Sequence, residues 1–240
     1  MILMLFISLC VHTLAIDLPQ YFPRCSRNDP LIGKCIANAA NELRFYVKDG
    51  INEIGIPSFD PVLLKFSYFS KQKEVELAGQ TWDYYVHDLY KYNITELRFF
   101  PEDVLLEGKV HFGRLPASSY YTLNAVFGML PVEGDGMLWG TIGPIRVDFK
   151  FRGKRIHKGR VEYCKLENVK LKLTMDDVDV NFSGLKTDDD SIGDINEIFK
   201  SNSKMLAKAA EPVYEKVFQK YVARYLEWFL EEIPYSTLFI

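Results

Sequence analysis

The sequence predicts an α+β protein in which a strongly curved antiparallel β-sheet wraps around one long C-terminal α-helix. Apolar and polar residues alternate in several segments between residues 145 and 182, a pattern typical of strands with one dry and one wet face. From Asp194 to about Glu231, apolar residues recur with a helical period. A long helix with a wide apolar stripe needs a large apolar partner, and one-faced strands supply it.

The N-terminal segment predicts secretion. Residues from Met1 to Ala15 carry no charged side chain and have the length of a signal-peptide apolar core. The segment lacks the usual basic residue, and a buried N-terminal strand or helix is the alternative. It is shorter than the roughly 18 residues that a membrane span needs, so we expect no stable membrane insertion. We therefore expect a cleaved signal peptide over residues 1–15, and a single secreted, extracellular domain over residues 16–240.

The first folded element is predicted as a helix from Asp29 to Asp49. Asp29 can cap it, and Pro30 suits a first helical position. Gly50 is expected to end it. Apolar residues follow at helical spacing, namely Ile36, Ala39, Ala40, Leu43 and Val47.

The long middle of the chain, from about Leu63 to Leu185, is predicted to form strands. Turns are expected at the glycines of this region, namely Gly79, Gly108, Gly134, Gly136 and Gly153. The clearest alternation places apolar residues at every second position of three segments: Ile145 to Phe151, Val169 to Met175, and Val178 to Phe182. A hairpin turn is expected between the last two segments, at Asp176 and Asp177.

The last third is predicted as one helix from Asp194 to about Glu231. It contains no glycine, and Pro212 is its one proline. Such a helix is about 57 Å long at 1.5 Å per residue, with a kink expected at Pro212. No internal repeat or flexible linker divides the chain, which favours one domain.

Three cysteines remain after signal cleavage, because Cys10 lies in the removed segment. In an oxidising compartment we expect Cys25 and Cys35 to form a disulfide that closes a short loop. Cys164 is then odd. It either lies buried as a free thiol, which we favour, or pairs between chains.

Two N-glycosylation sequons also fit a secreted glycoprotein, and they begin at Asn93 and Asn181. Both asparagines are expected to be exposed, since Asn181 falls on the charged side of its strand together with Asp179.

Composition and motifs exclude several classes of function. The net charge is −3, so no global positive field favours nucleic acid. No Gly-x-Ser-x-Gly nucleophile elbow and no Walker-type phosphate loop occur. The mature histidines His87, His111 and His157 lie far apart, without the spacing of a zinc site. We therefore predict a protein that is not an enzyme and has no metal or organic cofactor.

Several ordered motifs resemble the takeout and juvenile-hormone-binding proteins of insects over nearly the whole mature chain. They are Leu18-Pro19, Arg24-Cys25, Asp29-Pro30 and Cys35; Gly55 to Pro61; Leu130 to Gly136; Ile192-Gly193, Asn196, Phe199, Asn202 and Pro212; and Ile233 to Tyr235 with Leu238-Phe239. Juvenile-hormone carriers have a second disulfide, which Cys164 has no partner to form. The sequence is therefore nearer to the takeout branch.

The resemblance implies an elongated apolar cavity between the curved sheet and the helix, and an extracellular lipophilic ligand. The ligand classes are a juvenile-hormone-like terpenoid, a fatty acid or another lipid, carried by a monomer. The apolar stripes nominate nine ligand-lining residues: Val147, Phe149, Leu171, Leu173, Val180, Phe182, Phe199, Leu206 and Val213.

Two other functions stay open. One is an extracellular signalling or structural partner with a filled core, in circadian or feeding output as for some takeout-like proteins. The other is a lipid-modifying hydrolase. The missing nucleophile motif disfavours the hydrolase, although catalytic triads need not be local in sequence.

Overall fold

A computed structural model describes residues 18–72, 75–188 and 194–240. The predicted signal peptide and the Ile192-Gly193 motif lie outside the described residues. No helix in the described ranges is both long enough and apolar enough to span a membrane.

The described chain forms three α-helices and ten strands. The helices are α1 (Ile32–Val47), α2 (Ile195–Ser201) and α3 (Ser203–Glu232). The strands are β1 (Val62–Gln72), β2 (Val75–Val86), β3 (Asn93–Phe100), β4 (Leu105–Phe112), β5 (Leu115–Phe127), β6 (Leu130–Ile142), β7 (Ile145–Lys158), β8 (Val161–Met175), β9 (Val178–Phe182) and β10 (Leu185–Lys186). Short 3₁₀ helices cover Asn52–Ile54, Leu89–Lys91 and Tyr235–Leu238.

The strands form a six-stranded and a four-stranded antiparallel sheet. The first has the order β1-β2-β5-β6, with β9 and β10 both paired to β6, and the second has the order β3-β4-β7-β8. Four connections join them, β2–β3, β4–β5, β6–β7 and β8–β9, and both sheets present these strands in matching order. Each connection therefore leads from a strand of one sheet to the strand at the matching position of the other. The result is the predicted curved antiparallel layer.

The connection between β8 and β9 is not the predicted hairpin, because β8 pairs with β7 whereas β9 pairs with β6. Backbone hydrogen bonds join this link to the neighbouring one: Asp176 donates to Pro144 O and Gly143 donates to Asp177 O, both at 3.0 Å. Arg146 also binds the Asp176 carboxylate at 2.7 Å. The acidic pair thus crosses from one sheet to the other. Asp176 and Asp177 indicate a change of chain direction, but they do not indicate which strand β9 will pair with.

The glycines predicted as turns lie inside strands instead. Gly79 is within β2, and Gly108, Gly134, Gly136 and Gly153 lie within β4, β6 and β7. At Gly79 the ring of Tyr68 crosses the backbone, and its hydroxyl donates to Thr122 O at 2.8 Å. A Cβ at Gly79 would collide with Thr122 O and with the Tyr68 ring. These glycines therefore permit close contact between neighbouring strands.

The C-terminal helix is interrupted where one continuous helix was predicted. α2 ends at Ser201 and α3 begins at Ser203, with Asn202 between them. The Asn202 side-chain amide donates to Ile198 O at 2.8 Å, which satisfies a carbonyl at the end of α2. Pro212 lies inside α3. α3 contacts β8 most extensively and also packs on β1, so it spans the two outer edges of the curved layer.

The N-terminal helix α1 begins at Ile32, two residues after Pro30, and it packs on β3. Asp29 still supports this start by accepting a hydrogen bond from the Leu31 amide at 2.8 Å. A disulfide joins Cys25 to Cys35, the pair indicated by the sequence. Cys164 is a free thiol with 0% exposure on β8, and burial raises its pKa to about 11.

Candidate ligand-binding site

Three apolar cavities follow one another along α3. The N-terminal cavity, of about 110 Å³, lies between the first half of α3 and the six-stranded sheet. Its lining is Phe66, Tyr68, Leu77, Thr81, Tyr84, Leu123, Leu138, Val178, Val180, Phe182, Phe199, Leu206, Ala210, Val213 and Tyr214. No Asp, Glu, Lys or Arg is among these residues.

The middle cavity, of about 100 Å³, lies between α3 and the four-stranded sheet. It is lined by Leu89, Val110, Phe112, Leu115, Ile145, Val147, Phe149, Phe151, Leu171, Leu173, Phe218 and Val222. The residues that α3 contributes here come one to two turns after those of the N-terminal cavity.

The nine predicted lining residues divide between these two cavities. Val180, Phe182, Phe199, Leu206 and Val213 line the N-terminal cavity. Val147, Phe149, Leu171 and Leu173 line the middle cavity. Strand alternation explains this placement, and β9 follows it as predicted: Val178 and Val180 are buried, whereas Asp179 and Asn181 are exposed. A role for the nine in binding a ligand stays a prediction.

The largest of the three, the C-terminal cavity, was not predicted. It has a volume of about 260 Å³ and lies between α1, the end of α3 and the four-stranded sheet. Its lining includes Phe22, Cys25, Ile36, Ala39, Ala40, Leu43, Phe99, Leu106, Phe151, Leu226, Phe229, Leu230, Leu238 and Phe239, with exposed Arg152 as the charged member. The apolar stripes of both helices were visible in the sequence. The contact between the stripe of α1 and the stripe of α3 depends on tertiary packing.

The two ends of the described chain close this cavity together. Cys25 forms a parallel β-bridge with Phe239, and the Ile240 amide donates to Cys25 O at 3.1 Å. The disulfide fastens the same Cys25 to Cys35 on α1. The disulfide and this bridge together hold the first segment, α1 and the C-terminus in one wall of the cavity.

Aromatic side chains lie between neighbouring cavities. Phe151 lines both the middle and the C-terminal cavity, and its ring stacks on Phe149 at 5.0 Å between centroids. Between the N-terminal and middle cavities, the rings of Tyr214 and Phe218 stack at 6.3 Å. From Leu206 to Leu230, α3 passes all three cavities over about 36 Å, at 1.5 Å per residue.

The N-terminal cavity contains a buried pair of tyrosines. The hydroxyls of Tyr84 and Tyr214 are hydrogen-bonded to each other, and the residues are 2% and 9% exposed. Burial raises the pKa of Tyr214 to about 12 and that of Tyr84 well above its ordinary value. Both hydroxyls are therefore protonated at neutral pH. The sequence showed these residues only as aromatic positions.

The tyrosine pair has one hydroxyl proton more than its internal bond uses. The other hydroxyls of the cavity already have acceptors, since Tyr68 donates to Thr122 O and Thr81 donates to Phe66 O. Within the described ranges, no second acceptor contacts the tyrosine pair. The pair thus offers a hydrogen-bond donor inside an otherwise apolar cavity.

Comparison with known proteins gives one family and one shared fold. The sequence model of the haemolymph juvenile hormone binding protein family matches residues 2–240. The structure is similar to the crystal structure of Epiphyas postvittana Takeout 1, with a TM-score of 0.74 and 16% identity over 89% of this chain and 97% of that one. A lipopolysaccharide binding protein aligns with a TM-score of 0.36 and 14% identity, over 80% of this chain and 39% of that one. A search of curated protein sequences finds no match.

Proposed function

The chain belongs to the haemolymph juvenile hormone binding protein family, and we propose that it carries one elongated hydrophobic small molecule along α3, without catalysing a reaction. The row of three apolar cavities is the observation that carries this proposal. Each cavity alone is smaller than the roughly 300–1,000 Å³ typical of small-molecule sites. A compact ligand would fit none of them well, whereas a long chain uses all three.

The aromatic partitions act as movable walls in this proposal. Phe151 and Phe218 are partly buried, and each has a neighbouring cavity into which its ring can turn. Their rotation joins the three cavities into one channel. Rotation of a side chain needs no rearrangement of the strands, so the ligand enters a largely formed site.

The tyrosine pair supplies the polar end of the site. Its free hydroxyl proton can bind an ester, ketone, epoxide or hydroxyl oxygen of the ligand. Among the described residues no Lys or Arg lines the N-terminal cavity, so an ionised carboxylate there would be desolvated without a partner. The pair therefore favours a neutral terpenoid ester or another neutral lipid over an ionised fatty acid.

We also propose that the protein is a secreted, monomeric glycoprotein, with residues 1–15 as its signal peptide and residues 16–240 as one carrier domain. The Cys25–Cys35 disulfide supports passage through an oxidising compartment. Both sequon asparagines are exposed, Asn93 at the start of β3 and Asn181 in β9, as a glycan requires.

The decisive experiment fills the C-terminal cavity and measures ligand uptake. Ala39→Phe places a ring in the cavity, because Ala39 lines it. Asn38→Phe is the control, because it adds the same ring one position earlier on α1, where the side chain is exposed. Both variants and the unmodified chain are refolded from denaturant without lipid and titrated with an apolar fluorescent probe. We expect stoichiometric uptake that Ala39→Phe weakens and Asn38→Phe preserves.

One outcome would contradict the carrier, and another would contradict the continuous channel. Absence of uptake by the refolded, unmodified chain would favour a partner protein with a filled core. Equal uptake by Ala39→Phe and Asn38→Phe would remove the C-terminal cavity from the channel. Mass spectrometry of organic extracts from the natively purified protein identifies the molecule that it carries.

A further inference from the structure

An exposed group of large apolar side chains lies on the outer face of the six-stranded sheet, away from the cavities. We call it the outer aromatic patch, and it consists of exposed Tyr85, Tyr120, Met137 and Trp139 together with half-buried Trp82. Tyr120, Met137 and Trp139 are 45%, 44% and 47% exposed. The rings of Trp82 and Tyr120 stack with a centroid distance of 6.4 Å. Apolar side chains that cluster at a surface, unlike singly scattered ones, often mark an interaction site.

Strand register assembles the patch from β2, β5 and β6. Trp82, Tyr120 and Met137 are direct cross-strand neighbours in one row. Tyr85 and Trp139 lie in the adjacent row, with Ser118 of β5 between them. Side chains in these positions share one face of the sheet.

A bulge in β2 gives the patch its second row. The pairing of β2 with β5 shifts between Trp82 and Tyr85, and Asp83 has a positive φ of 53°. The extra residue lets Trp82 and Tyr85 both face outward while Tyr84 faces inward, where its hydroxyl meets that of Tyr214. Without the bulge, Trp82 and Tyr85 would point to opposite faces.

One of the two sequons borders this patch directly. Asn181 of β9 is paired with Trp139 of β6, and both side chains are exposed. Residues opposite each other in such a pair have Cβ atoms about 5 Å apart. The sequon continues along the patch, since Ser183 N donates to Met137 O at 2.9 Å.

The other sequon has different surroundings. Asn93 of β3 is paired with His111, whose next neighbour across the sheet is Arg146. The two glycan sites of this chain therefore differ in one respect that can be tested. One borders aromatic rings, and the other borders polar and charged side chains.

We propose that Asn181 carries an N-linked glycan whose first sugars pack on Trp139 and cover the outer aromatic patch. An N-acetylglucosamine ring has an apolar face of C–H groups, and these pack well on the electron-rich face of an indole. Its hydroxyl and acetamido groups remain in water. The glycan thereby converts an apolar surface into a polar one without a protein partner.

This inference rests on the proposed secretion, because N-glycans are attached in the secretory pathway. The test uses the full chain secreted from a eukaryotic host. Peptide mapping by mass spectrometry first measures glycan occupancy at Asn181 and at Asn93. Acrylamide quenching of tryptophan fluorescence then compares the unmodified chain with Asn181→Gln and with the matched control Asn93→Gln.

We expect an occupied Asn181 and a rise in quenching in Asn181→Gln that Asn93→Gln does not show. Trp139→Phe should reduce the difference strongly, because it removes the indole paired with Asn181 and leaves Trp82 as the patch's other tryptophan. If Asn181→Gln is not secreted, enzymatic removal of the glycan from folded Asn93→Gln protein gives the same comparison. Trimming to a single N-acetylglucosamine should keep most of the protection, since the first sugar lies nearest to Trp139.

Three results would overturn the inference. An unoccupied Asn181 alongside an occupied Asn93 would refute it and leave secretion intact. Two unoccupied sites would refute it together with the glycoprotein proposal. An occupied Asn181 with equal quenching in both glutamine variants would show that the glycan does not contact the patch.

Discussion

Replacing Tyr84 by phenylalanine keeps the buried ring and removes the hydroxyl. The Tyr214 hydroxyl then loses its one hydrogen-bond partner among the described residues and stays almost fully buried. An unsatisfied buried hydroxyl costs about 1–3 kcal/mol, so we expect Tyr84→Phe to lower the free energy of unfolding by that amount. Tyr214→Phe should have a similar effect for the same reason.

The double replacement distinguishes a hydrogen-bonded pair from two separate packing sites. Removing both hydroxyls leaves no orphaned group, and matched apolar replacement of both partners is close to neutral. The double variant should therefore be at least as stable as either single variant, which corresponds to a coupling energy of at least about 1–3 kcal/mol. Urea denaturation of lipid-free, refolded protein measures all four free energies.

A ligand assay extends the same cycle to function. We expect the double variant to bind an apolar ester more weakly than the unmodified chain by about 1 kcal/mol, or about fivefold, because the donor is absent. A hydrocarbon of equal length should bind both proteins equally. Strictly additive losses of stability would refute the hydrogen-bonded pair. An unchanged preference for the ester would refute its role in orienting the ligand.

Three further predictions concern stability. Val180→Asp buries an unpaired carboxylate at a wall of the N-terminal cavity, so it should lower the free energy of unfolding by several kcal/mol in thermal or urea melts. Asp179 is exposed, so Asp179→Ser should change stability by less than about 0.5 kcal/mol. Equal effects of the two variants would contradict the predicted alternation of β9. Serine at both Cys25 and Cys35 should cost about 3 kcal/mol, and no loss in urea melts would contradict a stabilising loop closure. Burial raises the pKa of Tyr214 from 10.0 to about 12, so stability should be full below pH 10 and fall as pH rises towards 12; a flat alkaline profile would contradict that burial.

Local pattern was sufficient for some elements of this fold and not for others. In β9 the inward side chains were predictable, because side-chain direction in a strand alternates with period two and depends on no distant residue. The glycines were misinterpreted because a turn and a close contact between strands both favour a residue without Cβ. Gly79 shows the second case, since its restriction comes from Tyr68 and Thr122, far from it in sequence.

The candidate site divides in the same way. The sequence by itself indicated apolar faces on the strands and helices, because burial of one face produces a periodic pattern of apolar residues. The nine residues chosen from these faces lie at two of the cavities, and their role in binding a ligand stays a prediction. The C-terminal cavity and the tyrosine pair depended on tertiary structure. Tyr84 and Tyr214 are 130 positions apart, and the bulge in β2 turns Tyr84 inward to meet α3. A contact between two elements that are distant in sequence depends on how both are placed in the fold. The residue pattern of each element shows which face is buried, but not which element covers that face.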